Sequence, residues 1–155
     1  MDEKIYQVTE LKSTTGRILG VDFGDTRTGL AISDVSRFLA SGIGYVSPGG
    51  IEKTAQAVAD TARERRAGAV VVGLPRNMDG SEGFRAARCR EFALLLSEKL
   101  EHAVPVAMID ERLTTVSASR YLNETNTRGS QRKGVIDTLS AQILLQNALD
   151  RLKNC

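Results

Sequence analysis

The sequence predicts one three-layer α/β domain built on a mixed five-stranded sheet flanked by helices, and three observations carry that expectation. Two short apolar runs, Ile18 to Phe23 and Gly29 to Ser33, flank a turn of glycine, hydroxyls and one guanidinium, which reads as a β-hairpin. Downstream, strand-like runs alternate with stretches of helical periodicity in the order β-β-β-α-β-α-β-α-α. That is the signature of an antiparallel half continued by parallel strands through right-handed crossovers. Finally, 155 residues with 41% hydrophobic and 26% charged content suit a domain able to bury its own core.

Taken in order, residues 1–16 are polar apart from Ile5, Tyr6, Val8 and Leu11, and should form a tail or an extra short strand ahead of a domain spanning 17–155. After the hairpin, Leu39 to Val46 is a third strand, weakened by Gly42 and Gly44 and closed by the turn Ser47-Pro48-Gly49-Gly50. Ile51, Ala55, Val58, Ala59 and Ala62 fall at helical spacing, in a helix running to about Arg66 with Gly68 as its stop. Ala69 to Gly73 is the clearest buried strand and leads into a loop, Leu74 to Gly83, dense in turn formers. Phe92, Leu95, Leu96 and Leu100 mark the second helix. Its opening turns carry Arg85, Arg88 and Arg90, where the helix dipole disfavours cations. Something anionic should therefore lie close to them, either phosphate or the acids Glu82 and Glu91. Val104 to Ile109 is the fifth strand, followed by Asp110, Glu111 and Arg112. A short helix from Thr114 or Thr115 to about Asn123, an apolar-free loop Glu124 to Lys133 and a last helix from Gly134 to about Leu152 complete the chain.

Bulk composition narrows the function classes. The net charge is only +2, yet just six of the 21 basic residues are lysines, and arginine's planar fork suits phosphate and carboxylate recognition. Cys89 and Cys155 stand far apart, in no metal or redox spacing, as expected of reduced thiols. No apolar run approaches a membrane span, and residues 1–16 lack the apolar stretch of a signal peptide. A cytoplasmic protein without a membrane role is expected.

Asp22 breaks the pattern of its own strand. An acid inside an apolar run costs several kcal/mol unless something pairs with it, on the order of what burying a polar group requires. Asp25, just past the strand, is the better placed of the two to cap the turn. In the last helix Asp137 shares a face with Ala141, Leu144, Leu145 and Ala148, so it points toward the sheet from the first turn. Asp110 and Glu111 emerge where open α/β sheets place ligands, and strand alternation lets only one of the two face Asp22. Like charges held together recruit a cation or a proton. With oxygen ligands alone, the cation expected is hard, Mg²⁺ or Mn²⁺. Such clusters serve phosphodiester hydrolysis, and Arg128, Arg132 and Lys133 are suited to hold a phosphate backbone.

Four blocks in order, Gly20-Val-Asp-Phe-Gly-Asp25, Val72-Gly-Leu-Pro-Arg-Asn-Met-Asp-Gly80, Asp110-Glu-Arg-Leu-Thr-Thr115 and Lys133-Gly-Val-Ile-Asp137, resemble the YqgF/RuvX family. These are Holliday-junction-resolvase-like proteins of the ribonuclease H-like fold, and the match runs from Ile18 to Leu152. The resemblance implies a metal-dependent nuclease acting in 5′-end maturation of pre-16S ribosomal RNA, with Asp22, Glu111 and Asp137 as its acidic triad. Arg27, Arg76, Asn77 and Arg112 are expected to join Arg128, Arg132 and Lys133 in contacting nucleic acid. Precursor rRNA in a ribosome-assembly setting is the expected partner, structured DNA a second one, and the chain a monomer or weak dimer. One departure stands out: the true resolvases end the fourth strand on a catalytic acid, whereas this strand ends Val72-Gly73-Leu74-Pro75. Two other readings compete, a resolvase-like DNA nuclease and a non-catalytic RNA-binding or transcription-associated module. The turn Asp22 to Thr28 also resembles the first phosphate loop of actin-like ATPases, but 155 residues are too few for their second lobe, so ATP binding is not expected.

Overall fold

The computed structural model of the chain describes residues 5–110 and 129–154, the last segment with side chains from residue 134 onward. Strand β1 (Tyr6–Gln7) leads into a 3₁₀ segment (Val8–Ser13), then β2 (Arg17–Asp22), β3 (Thr28–Ser33), β4 (Ala40–Val46) and helix α1 (Ile51–Glu64). Strand β5 (Ala67–Leu74), helix α2 (Phe84–Lys99), strand β6 (Val106–Asp110) and helix α3 (Gly129–Lys153) follow. The strands form one sheet in the order β1-β6-β5-β2-β3-β4. The run β2-β3-β4 is antiparallel, and β2, β5, β6 and β1 pair in parallel.

Three expectations change. The sheet has six strands rather than five, because of the two alternatives for residues 1–16, a tail or an extra short strand, the strand forms: Tyr6 and Gln7 pair with Ala107 and Met108 along β6. Two residues are too few to show a period, so only the backbone pairing decides between the two. Helix α1 ends before Gly68: Arg66 takes the left-handed conformation at φ 55°, and Gly68 already lies in β5. Helix α3 starts at Gly129, so residues 129–133 of the expected loop are helical. Ser, Gln, Arg and Lys are adequate helix formers, so the lack of apolar residues in this stretch did not exclude a helix. The expected short helix to Asn123 lies outside the described residues.

Strand alternation sorts the core into two layers. On one face Leu19, Val21, Val70, Val72, Leu74, Val106 and Met108 pack with α1 and α2. On the other, Ile18, Ala31, Val71, Ala107 and Ile109 pack with Ala141, Leu144, Leu145, Ala148 and Leu149 of α3. The apolar stripe expected on the last helix is therefore its buried face. Glycine allows close approach here, since a Cβ at Gly20 would lie 2.7 Å from the Leu145 Cβ.

Candidate active site

The end of β2, the start of β3 and the early turns of α3 meet at one corner of the sheet. Asp22 closes β2 opposite Gly29 of β3. It shares its face with Gly20, two residues earlier, which lies against α3. At Gly29 the helix backbone itself rests on the strand: a Cβ there would lie 1.9 Å from the Asp137 carbonyl oxygen. Any side chain at that position would hold the helix off. The bare glycine, paired with Asp22, brings Asp22 and Asp137 to the same half-buried corner.

The Asp137 carboxylate is 22% exposed and accepts a hydrogen bond from Arg27 Nε at 2.6 Å. Partial burial pushes this carboxyl above its ordinary range, because the charged form is disfavoured away from water. The guanidinium of Arg27, and more weakly that of Arg85, pull it back. Arg27, expected from the sequence to contact nucleic acid, thus lies against the Asp137 carboxylate and supplies part of the positive charge that the sequence asks of a cation.

The turn that carries Arg27 is closed by Thr28. Its hydroxyl is 3.3 Å from both the amide and the carbonyl oxygen of Gly24, accepting from the first and donating to the second. Thr28 is buried and must satisfy its hydroxyl locally. Exposed Asp25, expected in the capping role, instead accepts from Arg88 of α2 at 3.1 Å. This bond ties the opening of α2 to the β2–β3 turn.

Acids answer two of the three α2 arginines. Arg88 also pairs with Glu91 at 3.3 Å, and Arg90 makes a two-pronged contact with Glu82 at 2.7 Å. Among the described residues Arg85 has no ion-pair partner; it acts on Asp137 through space. Arg76 bridges Glu82 at 3.5 Å. Its Nε is buried and finds no acceptor among the described residues. The Asn77 side chain donates to Ser81 Oγ at 2.9 Å, within its own loop. It shapes that loop.

At the end of β6, Asp110 pairs with Leu74, whose side chain belongs to the α1 and α2 layer. Ile109 belongs to the α3 layer. Asp110 is therefore on the opposite face from Asp22 and Asp137, which removes one of the two candidates for the third acid. Glu111, Arg112 and Arg128 lie outside the described residues, as do the side chains of Arg132 and Lys133. Level with Asp22, on its own face, β5 offers Gly73 and so no carboxylate.

The donor chemistry at this corner fits a hard divalent ion: two carboxylates on one face, with no sulfur or imidazole beside them. Among the described residues, no three carboxylate, histidine or cysteine groups come together around one point. Sequence reading did not single out Gly29 or Thr28. The hairpin register, which sets Gly29 opposite Asp22, is the signal that could have found the first.

This architecture recurs in solved structures. Thermus thermophilus RuvC in complex with Holliday junction substrate matches with a TM-score of 0.55 at 17% identity, over 90% of this chain and 98% of that one. The fowlpox virus Holliday junction resolvase matches with a TM-score of 0.52 at 11% identity, over 85% and 99%. The fold is thus the ribonuclease H-like fold of the resolvases. The RuvX family profile, described as Holliday junction resolvase, matches residues 16–151, and the chain belongs to that family. Among its relatives, a protein of Acidiphilium cryptum named "Putative pre-16S rRNA nuclease" is 38% identical, over 96% of this chain and 94% of its own. A Cereibacter sphaeroides protein of the same name is 44% identical over 89% and 85%. No helix among the described residues is long and apolar enough to cross a membrane.

Proposed function

We propose that this chain is a divalent-metal-dependent nuclease that cuts precursor 16S rRNA in the cytoplasm. The observation that carries the reading is the contact at Gly29, which brings Asp22 and Asp137 to one corner beneath Arg27 and Arg85. The names of full-length relatives at about 40% identity support the substrate. Asp22 and Asp137 would hold Mg²⁺ or Mn²⁺, with Glu111, the remaining acid of the triad that the family resemblance implies, as the third ligand. When bound, such an ion supplies Lewis acidity to the phosphoryl oxygen and lowers the pKa of an attacking water. The carboxylates would fix where water and phosphorus meet; a P–O bond forms as the bond to the leaving oxygen breaks, the water gives up a proton to solvent, the leaving oxygen takes one from solvent, and the arginines take up the phosphate charge. Arg27 can then transfer its hydrogen bond from Asp137 to a phosphate oxygen.

The test is cleavage of a precursor 16S fragment and of a four-way DNA junction with Mn²⁺, Mg²⁺ or excess chelator, using the parent, Asp22→Asn and Asp137→Asn. We expect metal-dependent cutting of the RNA, lowered at least about 100-fold by either substitution, because an amide oxygen is a poorer ligand for a hard ion. Cutting that persists in chelator, or in Asp137→Asn, overturns the assignment. Preference for the junction would return the chain to resolvase chemistry. Gly73 in place of a strand-end acid speaks against that outcome.

A further inference from the structure

We propose that Phe84, the first residue of α2, is a stacking platform for an unpaired base of the RNA strand entering this corner. The inference rests on the nuclease reading and names the kind of substrate: single-stranded RNA beside the cut. Of the chain's four phenylalanines, Phe23 and Phe92 stack on each other in the core with centroids 4.5 Å apart. Phe84 is 76% exposed, a large apolar surface left in water at the opening of a helix. A lone exposed apolar residue is ordinary on a protein surface. Three features separate Phe84 from that background.

The first is charge. Arg85 follows it directly and acts on Asp137, while Arg88, one turn on, holds Asp25 of the β2–β3 turn. Phe84 thus opens the helix that Arg88 ties to the β2–β3 turn, and the guanidinium beside it, Arg85, has no ion-pair partner among the described residues and is suited to phosphate. The second is composition. An aromatic face beside Arg85, which has no ion-pair partner among the described residues, offers nucleic acid both of its needs, backbone charge and base stacking, whereas an apolar protein partner would leave that guanidinium unmatched. The third is rigidity. The loop before Phe84 is closed by its own bonds: the Asn77 amide donates to the Ser81 carbonyl at 2.8 Å, and Arg76 and Glu82 form a bridge. Arg90 ties Glu82 back to α2. Met78, 70% exposed, projects from the same loop. A platform fixed before binding loses little freedom when a base stacks on it.

The chain contains no tryptophan, so Phe84→Trp installs a single reporter whose emission falls when a base stacks on it. Titrations in chelator, where nothing is cut, would use a single-stranded RNA 12-mer and a blunt duplex of the same length. Phe38→Trp, at the other exposed phenylalanine, serves as the control. We expect saturable quenching of the indole at position 84 by the single strand, little by the duplex, and none at position 38. Phe84→Ala should weaken single-strand affinity about 5- to 150-fold, the range of one lost base stack, and Phe84→Tyr should retain it. Because the ring is exposed, its truncation opens no cavity, and thermal melts of Phe84→Ala should overlay the parent. An indole left unquenched in a protein that cuts RNA overturns the platform and leaves the nuclease reading standing. Quenching without any cutting in Mn²⁺ supports the platform and overturns the nuclease reading. Unchanged affinity in Phe84→Ala, or quenching by duplex as strong as by single strand, also overturns it.

Discussion

The two faces of the sheet solve different problems. On the α1 and α2 face, large side chains fill space, with Phe23 stacked on Phe92 and Leu96 and Val58 fully buried around them. On the α3 face the side chains thin out, and the helix comes down onto Gly20 and Gly29 until its backbone touches the sheet. Asp22 and Phe23, neighbours in sequence, are divided between the two: the acid joins the glycine-lined face and the ring joins the filled one. The difference teaches that this fold assigns stability and position to separate layers. A filled layer tolerates small readjustments of its contacts. A layer that must bring two carboxylates together cannot, because a helix displaced by one methyl group carries Asp137 with it.

The largest test of that contrast is Phe92→Ala. Truncating a fully buried aromatic should cost about 3–5 kcal/mol in urea melts, yet the folded fraction should cut RNA at the parental rate, since the α3 face is untouched. Gly29→Ala should cost less stability, about 1–3 kcal/mol for an overpacked contact, and more activity. Cleavage rates normalised to folded protein should fall more in Gly29→Ala than in Phe92→Ala, and the opposite ranking would break the division between layers.

Arg27→Ala sharpens the picture of the corner itself. It removes a partly buried ion pair and should cost about 1 kcal/mol in the absence of metal. The Asp137 carboxyl should titrate higher still by NMR, because burial then acts with one fewer opposing charge. A carboxyl that titrates as before would show that Arg27 does not act on it.

The smallest effect concerns the loop after β5. The Arg90 guanidinium, with Arg76 beside it, holds the exposed Glu82 carboxyl below its ordinary range. A carboxyl lowered in the folded state contributes stability that is complete above its unfolded pKa and is lost as pH falls through the folded value. Loop closure should therefore weaken only in acid, below the ordinary value of 4.5. Amide-exchange protection at Asn77, corrected for intrinsic rates, should drop there in the parent. In Glu82→Gln it should be low at every pH, and a parental pH profile in that variant would remove Glu82 from the closure of the loop.

Much of this molecule is legible in the chain itself. The hairpin, the buried strand through Val70 and Val72, and the sheet-facing stripe of α3 follow from periodicity, because burial of one face imprints its spacing on the sequence. Asp22 and Asp137 are visible for the complementary reason, as acids at positions the apolar pattern marks as inward. What the sequence could not decide was contact between distant segments. That Gly29 receives the Asp137 backbone, that Arg27 rather than solvent meets the Asp137 carboxylate, and that Asp25 binds Arg88 all depend on how helices dock. So does the sixth strand, two residues long and defined only by its partner β6. Asp110 was undecided for a related reason: alternation says that neighbours point oppositely, and only the pairing with Leu74 says which way each one points. Local patterns record the environment that a residue needs, whereas close packing of one backbone on another leaves no trace but the absence of a side chain.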